Sequence, residues 1–101
     1  MKIIDETLEL AREECEKFQF DTAQTEKMIQ AGKRDLQREL NRLEKVIREH
    51  PLRLEQIHHS LHALKGLFLF MGNHAASEKC GQLEQYGDAL VEEEVRKLLS
   101  N

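Results

Sequence analysis

The chain predicts an all-α fold, an antiparallel up-down four-helix bundle with an additional N-terminal helix. Apolar residues recur at steps of three and four through most of its length, the spacing of one helical face. One proline and five glycines leave little material for the frequent turns of a β fold. The breaks between periodic segments are short, which favours antiparallel neighbours. At 101 residues the chain suits one domain, 1–101, with the extra helix over 1–19 and the bundle core over 21–100.

In the first segment Ile4, Leu8, Ala11, Cys15 and Phe18 mark one apolar face, and the helix is expected to end near Gln19. Asp21 with Gln24 three residues on is the pattern of a capping box and opens the second helix. Its stripe runs through Met28, Leu36, Leu40, Leu43 and Ile47, widened by Ile29 and Val46 and interrupted by Gly32. His50-Pro51 breaks the chain, and proline suits a first helical turn, so the third helix is placed from Pro51 to Met71. Gly72-Asn73 reads as its stop. A fourth helix follows over His74–Tyr86, and Gly87-Asp88 turns into a fifth bearing Leu90, Val91, Val95, Leu98 and Leu99.

Hydrophobic residues make up 40% of the chain and charged residues 34%, as in a helical protein with one core. The opening MKIIDETLEL is acidic and lacks the long apolar run of a signal peptide. No stretch approaches the ~20 apolar residues of a membrane span. Cys15 and Cys80 are isolated on apolar stripes, which reads as two buried thiols in a reducing compartment, and the protein is expected to be cytoplasmic. Net charge is −4, yet residues 26–48 carry seven bases against four acids. No aromatic residues interleave those bases, and spacings such as Glu44–Arg48 fit a solvated face, so nucleic acid is not expected as a partner.

The third helix carries the chemistry. At 100° per residue Leu54, Ile57, Leu61, Leu64 and Phe68 share a broad arc, which Ala63, Leu67, Phe70 and Met71 extend round the back. Glu55, His58, His59, His62, Lys65, Gly66 and Leu69 lie on one strip, within about 60° of His62. An interior glycine costs a helix about 1 kcal/mol relative to alanine, so Gly66 suggests a need for space. If the following turn centres on Asn73, His62 and Glu84 stand equally far from it and face each other across an antiparallel hairpin. A carboxylate there would accept the Nδ1–H of His62 and leave Nε2 as a nucleophile. Lys65 could then neutralise an anion carried on that nitrogen.

The stretch His62-Ala-Leu-Lys65-Gly66, with Gly72 beyond it and Cys80-Gly-Gln-Leu83-Glu84 downstream, resembles the histidine-containing phosphotransfer (HPt) domain family. The resemblance covers residues ~21–100, with the first helix as the extra helix such bundles often carry. It implies a phosphocarrier of a two-component relay, in which His62 takes a phosphoryl group from a receiver-domain aspartate and passes it to another. Lys65 matches the family's phosphate-facing lysine, Gly66 the glycine that lets the receiver approach, and Glu84 the polar residue that holds the imidazole. The implied partners are response-regulator receiver domains and a sensor histidine kinase, with no cofactor. The protein is expected to be a monomer and a phosphotransfer intermediate rather than an autonomous enzyme. His58, His59, Gly66 and Leu69 are expected to rim the docking face. The sequence departs from the family where bulky Leu67, Phe68, Leu69 and Phe70 follow Lys-Gly in place of small residues.

Two other readings compete. A bundle that keeps the fold can serve only to bind partners. His58 and His62, spaced i,i+4, can also bind a metal, although the Glu55-x-x-His58 half-motif has no second copy. No nucleotide loop or second pair of catalytic carboxylates is present.

Overall fold

A computed structural model describes residues 1–100, and these form five helices and no strand: α1 (Lys2–Lys17), α2 (Thr22–Ile47), α3 (Leu54–Phe70), α4 (His74–Leu83) and α5 (Asp88–Leu99). The body is elongated, 47 × 20 × 20 Å, its length set by the 26 residues of α2. Among the described residues no helix is long and apolar enough to cross a membrane.

Each boundary has a local cause. Asp21 caps α2 through its side chain, which accepts the Gln24 amide at 2.7 Å, and Gln24 Oε1 accepts the Asp21 amide at 3.1 Å, closing the expected capping box. α3 ends in a Schellman turn. The Asn73 amide reaches the Phe68 carbonyl (2.8 Å), the Gly72 amide reaches that of Leu69 (3.1 Å), and Gly72 takes φ +82°. α1 ends in the same pattern, Phe20 to Cys15 and Gln19 to Glu16, but Gln19 occupies the left-handed position at φ 58°.

Three boundaries fall inside those expected from sequence. α1 stops at Lys17 rather than near Gln19, because the left-handed residue of its closing turn is Gln19 itself. α3 starts at Leu54, not Pro51. Leu52 and Leu54 both pack on the core, and residues two apart share a side in extended backbone but stand about 200° apart in a helix. α4 closes at Leu83 rather than Tyr86, its last turn tightened by Gln85 to Gln82 and Tyr86 to Leu83 hydrogen bonds of the 3₁₀ type.

The core runs along the bundle axis. Leu36, Leu40, Leu43 and Ile47 of α2 meet Ile57, Leu61, Leu64 and Phe68 of α3, with Cys80 and Leu83 of α4 and Val91 and Val95 of α5 completing the layer. Each such Leu, Ile or Phe contributes about 1.5–3 kcal/mol by leaving water. Ile3 and Ile4 of α1 join this cluster, while Ala11, Ile29 and Met71 form a smaller one under the α3–α4 turn. There Gly32, an apparent interruption of the α2 stripe, is buried, and any side chain on it would collide with the Met71 thioether. Phe18, Phe70 and Leu90, expected on apolar faces, instead stand out in solvent. Phe18 lies beyond the end of α1, and α2 and α4 pack on α3 without covering Phe70 at its tip.

Polar side chains fix the helices against each other. Ser60 of α3 donates to the buried Glu39 of α2 (2.9 Å), whose second oxygen meets Arg42 at 3.3 Å. Lys79 of α4 meets Glu94 of α5 at 3.2 Å, and with Lys97 it holds the Glu94 carboxyl below the usual carboxylate range. Among the described residues every buried side-chain nitrogen and oxygen finds a partner.

Gln19 adopts a left-handed conformation that costs a residue with a Cβ about 1 kcal/mol or more. Replacing it with glycine is expected to stabilise the protein by up to about 1 kcal/mol, measured by urea denaturation.

Candidate functional site

α3 and α4 pack as an antiparallel hairpin whose turn is pinned at Asn73. The Asn73 side chain accepts the Ala76 amide (3.1 Å), capping α4, and donates to Thr7 Oγ1 of α1 (2.8 Å). Thr7 in turn donates to the Ile3 carbonyl at 2.7 Å. With Leu64, Phe68, Cys80 and Leu83 fully buried at the seam, α4 cannot slide along α3 without exposing them.

That register brings His62 to Glu84. His62 Nδ1 lies 3.3 Å from Glu84 Oε1, and the pair is asymmetric, the histidine side chain being 74% exposed and the glutamate 25%. A carboxylate only accepts, so Nδ1 carries the hydrogen, and in the neutral ring the lone pair is then on Nε2. The half-buried glutamate holds the ring, and the ring faces solvent. The register expected from sequence holds at this pair.

Lys65 and Gly66 stand one turn beyond His62. Both are exposed, and a Cβ added at Gly66 would meet no other atom within 4 Å. The backbone therefore leaves an open saddle beside the imidazole. The Lys65 ammonium pairs with no carboxylate among the described residues. Ser77 Oγ of α4 donates to the Lys65 carbonyl at 2.9 Å, tying α4 to α3 inside the site.

The remaining strip residues separate. His58 is half-buried, and its Nε2 donates to the Tyr86 carbonyl (3.2 Å), bracing the α4–α5 connection. His59 is exposed on the other flank, lining a cleft with Arg42, Lys45, Glu49 and Glu55. His58 thus commits its Nε2 to a backbone carbonyl. No group of three or more His, Cys, Asp or Glu among the described residues is disposed to hold a metal ion. Leu69 continues the His62 face and is 54% exposed.

Cys15 and Cys80 are both unpaired and buried. Burial, with the charge of Glu84 adding to it, pushes the Cys80 thiol up to about 12. It stays protonated and acts as a small apolar side chain under the site.

Sequence reasoning missed two features here. Ser77 and Gly81 share the α4 row of Glu84, a relation visible as spacings of four and three but not singled out. Exposed Phe18, Phe20 and Phe70 surround a groove of about 380 Å³ that Leu69, Met28 and Cys15 also line. The periodicity of Phe18 and Phe70 pointed inward, and only the ends of α1 and α3 show that nothing covers them.

The family model for the Hpt domain matches residues 6–100. No curated protein and no solved structure matches the chain.

Because Gly66 touches nothing, alanine there is expected to raise stability by up to about 1 kcal/mol through helix propensity alone, again read by urea denaturation.

Proposed function

The chain belongs to the Hpt domain family, whose members carry phosphoryl groups on histidine in phosphorelays, and we propose that His62 is its phosphoacceptor. The observation that carries this reading is the exposed imidazole with Nδ1 on Glu84, beside a lysine and an open glycine. His62 Nε2 attacks the phosphorus of a receiver's aspartyl phosphate. The P–O bond to the aspartate breaks, the N–P bond forms, and the carboxylate leaves with the electron pair. The ring becomes cationic, and the Nδ1–H bond to Glu84 steadies that charge. Lys65 offsets the negative charge of the arriving group. The receiver supplies the aspartate and the divalent cation. Attack by a second receiver's aspartate reverses the step.

The receiver seats over Gly66, where no side chain obstructs it, with Leu69 as an apolar contact and His58 and His59 at the rim. Phe70 and Phe18 adjoin Leu69 and extend this surface toward the α1–α2 turn. The bulky run after Lys-Gly then has two roles. Phe68 fills the core, while Leu69 and Phe70 face the partner.

Incubation with a panel of phosphorylated receivers tests the reading. His62→Gln should abolish transfer, and its survival would leave a binding-only bundle instead. Gly66→Gln should block transfer on steric grounds while the fold persists. Glu84→Ala should slow transfer without stopping it, on the order of 10–100-fold, as for other groups that orient a reacting histidine. A Leu69→Ser/Phe70→Ser pair should weaken receiver binding and leave stability nearly unchanged, because both side chains are exposed.

A further inference from the structure

Gly81 stands inside α4, a helix of ten residues, where it costs about 1 kcal/mol relative to alanine. Neither a positive φ nor a tight turn calls for it. Lys65 and Gly81 lie equally far from Asn73 along the chain, so the register that pairs His62 with Glu84 also sets Lys65 opposite Gly81. The lysine stem borders the space a side chain would take. Its Cε, Cδ and Nζ lie 3.5, 3.6 and 3.6 Å from where a Gly81 Cβ would stand. One turn away Ser77 Oγ holds the Lys65 carbonyl at 2.9 Å.

We infer that Gly81 is a positioning residue for Lys65: Ser77 and Gly81 of α4 form a shallow lane that fixes the lysine at its backbone and along its stem, one turn from the imidazole it serves. This rests on the phosphocarrier reading and deepens it. A lysine on an open surface spreads its charge over many rotamers, and ordering it costs entropy. A lane bounded by α4 confines the stem before the phosphoryl group arrives. The lane demands a small residue at position 81. A methyl would make ordinary van der Waals contact with the stem, whereas a longer side chain would occupy the lane and turn the ammonium into solvent.

The test needs no receiver. Phosphoramidate loads an imidazole directly: its P–N bond breaks, the bond from Nε2 to phosphorus forms, and ammonia leaves. Loading of His62 is followed by ³¹P NMR in wild type, Lys65→Ala, Gly81→Ala, Gly81→Leu and the Gly81→Leu/Lys65→Ala double variant. Lys65→Ala should slow loading roughly three- to tenfold, as for one partly screened charge. Gly81→Leu should slow it equally, Gly81→Ala should load as wild type does, and the double variant should be no slower than Lys65→Ala alone. A general loss of folding would slow the double variant further, so multiplying effects would overturn the assignment. So would a Gly81→Leu variant that loads at the wild-type rate, or a Lys65→Ala variant that does. A wild-type protein that never loads on His62 would bring down the phosphocarrier reading itself, an outcome distinct from the others.

Discussion

The register between α3 and α4 is the constraint on which the candidate site depends, and the Gly72-Asn73 turn sets it. Gly72 supplies the left-handed residue that lets α3 close on its own carbonyls, and a Cβ there would also press on the Glu14 side chain at 2.7 Å. Asn73 then caps α4 and anchors the turn to α1 through Thr7. From this fixed point the hairpin pairs Lys65 with Gly81 and His62 with Glu84. A slip of one residue would rotate α4 by about 100° and carry Glu84 off the imidazole.

Stability and the candidate site are divided between the two sides of α3. On the inner side Ile57, Leu61, Leu64 and Phe68 are fully buried and hold the helix in place. On the outer side His62, Lys65 and Gly66 contribute little to folding, and Gly66 costs some of it. An exposed imidazole would ordinarily sample several rotamers. The half-buried Glu84 restricts it, and the buried seam restricts Glu84. Precision at the surface is thus borrowed from the core through one carboxylate.

The additional helix α1 belongs to the same scheme. Ile3 and Ile4 close one end of the core, and Ala11 packs with Ile29 and Met71 beneath the α3–α4 turn. Arg12 meets Glu26 across the α1–α2 pair at 2.6 Å, an exposed contact of small energetic weight. The greater effect of α1 is to bury the Asn73–Thr7 hydrogen bond, where a missing partner would leave a polar group unpaired. Beyond α1 the aromatic side chains of Phe18 and Phe20 come to lie beside Leu69 and Phe70.

The helical class, the capping box at Asp21, the stop at Gly72-Asn73 and the pairing of His62 with Glu84 were legible in sequence, because each depends on local spacing or on counting from one turn. Periodicity also identified Leu61, Leu64, Phe68, Cys80 and Leu83 as core, since a helix repeats its face whatever it packs against. The tertiary structure alone decided which apolar residues went uncovered. Phe18 and Phe70 have the hydrophobicity of core residues, but burial requires a neighbour, and the helices around them end too soon. It decided equally that His58 braces the Tyr86 carbonyl while His62 stays open, although the two histidines share one strip of α3. One helix states which residues share a face; the helix beside it determines which of them water can reach.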